Sequence, residues 1–131
     1  MIYCLAYPPR KPRRFYEEAA AEYEKRLGRF CRIERVDAIS QHAGRDFIIT
    51  FSPEGRQISS ENMAERLLSL ESGGEVNRII FCLKLKEVET IHADETWAFT
   101  TVGIPEDLLA VLLLEQIYRA QKILHHEPYH K

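Results

Sequence analysis

Two rhythms run along this chain, short continuous apolar runs and longer stretches with helical spacing. Residues 2–6 form a short apolar run closed by Pro8 and Pro9, which predicts a buried first strand. Phe15, Ala19, Tyr23 and Leu27 recur every four residues, with acids early and Lys25 and Arg26 late. That spacing predicts an amphipathic helix ended at Gly28. Residues 30–36 alternate loosely and read as a second strand, whereas 38–46 carry no periodicity and read as a loop. Residues 47–51 are apolar and β-branched throughout, a third buried strand, followed by a Ser52-Pro53-Glu54-Gly55 turn. Ser59 or Ser60 is placed to cap a helix through Leu70, with Met63, Leu67 and Leu70 on its face and Gly73-Gly74 as its stop. Residues 78–83 and 96–102 read as the fourth and fifth strands.

The last element starts at Pro105, which a first helical turn tolerates, with Glu106 and Asp107 at the positive end of the helix dipole. Residues 108–114 are apolar on every side, so burial all round is expected. Glu115 precedes Arg119 by four, the favourable order for a helical ion pair, and Lys122 shares that edge. Pro128 takes Glu127 out of helical geometry and leaves Tyr129, His130 and Lys131 as a free end. Strands alternating with helices, and apolar at their centres, predict an α/β fold: one domain over residues 1–131, with a mainly parallel sheet and helices on both faces. Ligands gather at the carboxyl ends of such strands, here Tyr7, Ser52, Lys84 and Gly103.

Composition narrows the function more than the fold. The 131 residues are 45% hydrophobic and 29% charged, ordinary for a soluble domain. A net charge of −2 excludes a globally basic nucleic-acid binder but leaves room for a local patch. Arg10, Lys11, Arg13 and Arg14 supply one, read either as a solvated loop or as a phosphate-contacting one. The opening residues lack the pattern of a signal peptide, and no apolar run approaches a membrane span. Cys4, Cys31 and Cys82 are scattered without a CxxC, which predicts reduced thiols in a cytoplasmic protein. P-loop, GxGxxG, GxSxG and HExxH signatures are absent. His125 and His126 point about 100° apart on a helix, and Pro128 breaks their register with His130, so no metal site is assigned. Trp97 and Phe99 alternate on a strand and read as core rather than as a base-stacking platform.

The tail and three other segments bring a family into view. LLEQIYRAQKILHHEPYHK closely resembles the carboxyl-terminal signature of the RlmH-type ribosomal RNA methyltransferases, a branch of the SPOUT superfamily. AEYEKRL resembles that family's first helix, TFSPEGRQISSENMAERL its central turn and second helix, and VGIPEDLLAVLLLEQIYRA the approach to its last helix. The resemblance covers most of the chain except residues 38–46, where members carry a longer stretch. It implies an α/β domain with a carboxyl-terminal trefoil knot, built as a homodimer. It also implies methyl transfer from S-adenosylmethionine to N3 of a pseudouridine in large-subunit ribosomal RNA. By positional carry-over, the cofactor meets Phe51, Lys84 and the stretch Phe99, Thr100, Thr101, Val102, Gly103 and Ile104. On this resemblance His130 is the candidate to take or relay the imide proton, and Tyr129 to stack on or hydrogen-bond the base. The alternative is that Tyr129 caps the dimer interface and His130 is solvated. Arg119 and Lys131 hold phosphates, joined by Arg10, Lys11, Arg13 and Arg14.

The chain departs from the family on the cofactor and substrate side. Members carry a Gly-Gly pair after an apolar strand, where the backbone closely approaches the cofactor. Here Lys84-Leu85-Lys86 follows, and no glycine occurs between Gly74 and Gly103. A lysine beside a sulfonium is unfavourable unless its ammonium points elsewhere. Glu106 stands where members commonly have His, and Ala110 where an Arg follows. Two expectations therefore stand side by side. One is a ribosomal RNA methyltransferase; the other is a catalytically weak or inactive homodimer that binds RNA or a protein partner.

Overall fold

In the computed structural model of the chain, residues 1–37, 39, 44–84 and 92–128 are described. Along them run β1 (Ile2–Ala6), α1 (Arg14–Leu27), β2 (Arg32–Val36), β3 (Asp46–Gln57), α2 (Ser60–Ser72), β4 (Arg78–Cys82), β5 (Glu95–Ala98) and α3 (Glu106–Leu124). The strands form one sheet in the order β2-β1-β4-β3-β5. Every pairing is parallel, as the unbroken apolar strand centres require. Tyr3, Leu5, Ile49, Phe51, Ile79, Phe81 and Trp97 face one side and form a single core with residues from all three described helices. Cys4, Ala6, Ile48 and Ile80 face the other side, beside Val36, Ile39 and Ala93. All three described helices pack on the first face.

Four expectations shift. The Ser52-Pro53-Glu54-Gly55 turn does not end β3, because the strand resumes and both Phe51 and Arg56 pair with Trp97. The turn residues are a bulge, where Pro53 withholds no ladder bond. Gly55 is needed there, since a Cβ would lie 2.9 Å from the Thr96 and Trp97 carbonyl oxygens. The fifth strand is shorter than expected, ending at Ala98. On α1 the spacing of four does not mark the buried face: Leu27 is buried but Phe15 is 60% exposed. Each step of four overshoots a full turn by about 40°, so three steps rotate the stripe by about 120°. On α3, Leu109, Ala110, Leu113 and Leu114 are buried, but Leu108, Val111 and Leu112 are only half-buried. The helix packs on α1 and α2 over the sheet, and its outer stripe is only half-buried among the described residues.

The α2 cap forms as expected, with Ser59 Oγ accepting from the Asn62 N–H at 3.1 Å. Glu115 and Arg119 pair at 2.6 Å. Trp97 is fully buried against Phe51 and Phe81, which confirms its core reading.

Candidate functional site

Adjacent strands β1 and β4 send their connections in opposite directions, one toward β2 and the other toward β5. Such a switch point opens a crevice at the carboxyl ends of the strands. A cleft of about 650 Å³ lies there. One wall is the β1–α1 connection, residues 7–13; the floor includes Lys84 just beyond β4; the other wall is residues 104–107 and Ala110 at the start of α3. Its size suits a small organic molecule.

The two walls are joined. Arg13 Nε donates to Asp107 Oδ2 at 2.8 Å, its Nη2 donates to Oδ1 at 3.0 Å, and its backbone N–H donates to Oδ2 at 3.1 Å. These bonds hold the Asp107 carboxyl well below the usual carboxylate range. Lys84 is 9% exposed, and its ammonium donates to the Asp37 carbonyl rather than standing free in the cleft. The Tyr7 hydroxyl is buried with no hydrogen-bond partner among the described residues, and desolvation pushes its pKa up. Arg35 lies 4.6 Å over the Tyr7 ring while pairing with Glu17 and Glu24.

Of the residues read as functional from the sequence, the structure brings Arg10, Lys11, Arg13, Lys84 and Ile104 together around this cleft. Phe51 lies in the aromatic core, 4% exposed, with the half-buried Phe99 ring 5.5 Å away. Thr100, Thr101, Val102 and Gly103 form the turn leading to Ile104 and do not line the cleft; Val102 is 68% exposed. Arg14 points to solvent and pairs with Glu18. Arg119 lies nine residues beyond Ala110 on α3, about 13 Å along the axis at 1.5 Å per residue. Tyr129, His130 and Lys131, like Leu85 and Lys86, lie outside the described residues.

Tyr7, expected only as a strand end where ligands gather, and Glu106, expected as a substrate-side departure, both line the cleft, whereas sequence reasoning missed Asp107. Asp107 was visible only as a helix-dipole partner, because nothing local signals a contact made 94 positions away.

The far end of α3 is tied down as well. Arg29 Nη2 contacts both carboxylate oxygens of Glu127, at 2.6 and 2.8 Å, and Lys122 lies 3.7 Å from the same group. Arg29 holds the Glu127 carboxyl below its ordinary pKa. His126 turns the chain with a φ of 55°, a conformation that favours glycine. His125 lies 4.8 Å from the Phe30 ring, with Nδ1 at 2.8 Å from the Gln121 carbonyl. No cluster of three or more metal-ligating side chains occurs among the described residues. No described helix is long and apolar enough to cross a membrane.

Comparison with known proteins adds family evidence. The profile of a family described as "Predicted SPOUT methyltransferase" matches residues 34–130. The chain is 34% identical over 127 residues to ribosomal RNA large subunit methyltransferase H 1 of Thermoanaerobacter sp., spanning 92% of both chains. Identity to ribosomal RNA large subunit methyltransferase H of Bifidobacterium adolescentis is 34% over 146 residues, spanning 90% of this chain and 92% of that one. With the protein of the same name from Natranaerobius thermophilus, identity is 36% over 124 residues, 91% of this chain and 72% of the other.

Proposed function

This chain belongs to the SPOUT methyltransferase family, and from that premise we propose that it methylates N3 of a pseudouridine in large-subunit ribosomal RNA with S-adenosylmethionine. The observation that carries the reading is the cleft at the β1/β4 switch point, with cations on one wall and carboxylates on the other. S-adenosylmethionine bears an ammonium and a sulfonium, and the cleft offers the Glu106 carboxylate for these positive groups, while Arg10 and Lys11 are kept for RNA phosphates. Lys84, turned onto the Asp37 carbonyl, does not oppose the sulfonium with a free ammonium. The group therefore fits. Lys84 and Ile104 would hold it directly, with Phe51 and the stretch Phe99, Thr100, Thr101, Val102 and Gly103 behind and beside them. When bound it supplies an electrophilic methyl group.

The protein's own part is to bare and aim the imide nitrogen, which is a poor nucleophile until it loses its proton. His130 accepts or relays that proton, Tyr129 stacks on the base, and Arg10, Lys11, Arg14, Arg119 and Lys131 hold phosphates. Reach supports a homodimer in which the tail serves the partner's cleft. From Ala110 at the cleft to Leu124, fourteen residues at 1.5 Å each carry α3 about 21 Å away. Glu127 is then held by Arg29, and three more residues to His130 span at most about 11 Å. A chain so held falls short of its own cleft. The half-buried stripe Leu108, Val111 and Leu112 is an apolar surface that a second copy would cover. A trefoil knot and a cytoplasmic location belong to the same proposal, and free cysteines accord with a reducing compartment.

The absence of glycine between Gly74 and Gly103 favours a second reading, a catalytically weak homodimer that binds RNA or a protein partner. Isothermal titration with S-adenosylmethionine separates the two. Saturable binding is expected on the first reading; no heat at millimolar cofactor leaves only the second.

A further inference from the structure

The connection from β1 to α1 is a strap over the cleft, and prolines make up Pro8, Pro9 and Pro12 of it. Each proline removes a backbone donor, so little but side-chain bonding can fasten this segment. The fastening is at its far end. Arg13 gives Asp107 two side-chain bonds and a backbone N–H, and its guanidinium lies 4.8 Å over the Tyr16 ring. Asp107 is 14% exposed in its side chain and also accepts from the Leu108 N–H at 3.0 Å. Arg14, next in sequence, is 92% exposed in its side chain.

We propose that Arg13 and Asp107 are a clasp, a positioning pair rather than part of the surface that touches RNA. The bidentate fork takes two of the five guanidinium N–H donors of Arg13, those on Nε and Nη2, and fixes the plane of the group against the carboxylate. A phosphate approaching it would also meet the Asp107 carboxylate. The clasp sets the spacing of the cleft's two walls and presents Arg10 and Lys11, which project from the stiff strap, to the phosphate backbone. The proposal rests on the RNA-binding reading for its consequence but not for its geometry.

A phosphate contact and a clasp predict opposite signs for one substitution. If Arg13 read a phosphate, Asp107→Ala would free it, remove a negative charge and tighten binding. A clasp predicts the reverse. Binding to purified bacterial large ribosomal subunits is measured against salt for wild type, Asp107→Ala, Arg13→Ala and Arg13→Lys. The clasp predicts that all three variants weaken binding about tenfold through lost preorganisation, with the salt slope unchanged. Arg13→Lys belongs with them because it keeps the charge but loses the fork. Tighter binding by Asp107→Ala, wild-type affinity in Arg13→Lys, or a salt slope reduced by about one in Arg13→Ala overturns the proposal.

Hydrogen exchange at the Arg13 amide tests the geometry without RNA. Exchange about tenfold faster in Asp107→Ala than in wild type is expected, since the carboxylate accepts that N–H. An unchanged rate sinks the clasp whatever the ribosomal subunits do. Failure of the wild-type protein to bind subunits sinks the RNA reading instead, and the amide then decides the clasp alone.

Discussion

At its first turn α3 is held by Asp107 to Arg13, the residue before α1, and past its last turn it is held by Glu127 to Arg29, in the turn after α1. Two parallel helices are thus pinned at both ends by arginine and a carboxylate. The front carboxylate is 14% exposed in its side chain and takes a backbone N–H along with the guanidinium, so it immobilises a stretch of chain. The rear carboxylate is 28% exposed and takes its guanidinium bonds from one nitrogen, so it fixes a point and leaves the chain beyond it. One end joins the two walls of the cleft; the other holds the chain at Glu127 alone. Identical ion-pair chemistry serves two tasks, and what differs is how much backbone each pair captures.

The largest expected effect separates the tail from the cleft. His130→Ala should lower methyl transfer at least about a hundredfold, the scale of a lost general base, and leave S-adenosylmethionine affinity unchanged. An equal loss in both would refute a chemical role. If tail and cleft come from different chains, mixing His130→Ala protein with an Arg10→Glu, Lys11→Glu variant restores activity. Random re-pairing gives one intact site in half of the dimers, about a quarter of wild-type sites. A mixture as inactive as its components breaks the division of labour between the two ends.

Much of the frame that places these ends was legible in the residues. The run at residues 2–6 and the Ser59 cap translate directly into β1 and α2, because buried parallel strands and capped helices are local patterns. Ser52-Pro53-Glu54-Gly55 was misread because a bulge and a chain reversal need the same residues; only pairing with β5 tells them apart. Phe15 was misplaced because a spacing of four drifts around the helix. Arg13 was legible as a charge but not as a clasp, since its partner is set by how α1 and α3 pack. The tail's motif was legible as a family mark, while the site proposed for it involves a second copy, which one chain's pattern does not encode.

A second, smaller test compares the two pins. Glu127→Ala should reduce turnover about tenfold by loosening the tail's origin, with binding to large ribosomal subunits within about twofold of wild type. Asp107→Ala should instead act mainly on that binding. If Glu127→Ala weakens binding as much as Asp107→Ala does, the rear pin also shapes the RNA surface. The comparison would then reduce to two clasps of one kind.

The smallest expected effect lies in acid. Asp107 and Glu127 both have folded-state pKa values depressed by their arginines, so each contributes stability that is present above the unfolded value, near 4. That contribution is lost as pH falls through the lower folded value. The depression at Asp107 is large and its side chain is the less exposed, so it should carry more of the acid limb. Urea midpoints from pH 6 to about pH 2 should fall less steeply for Asp107→Ala than for wild type, with Glu127→Ala between them. Both arginines are more than half exposed, so the differences will be modest and should shrink in added salt. Were Glu127→Ala to flatten the limb more than Asp107→Ala, the front pin would not be the tighter one, and the ordering of the two ends would have to be reversed.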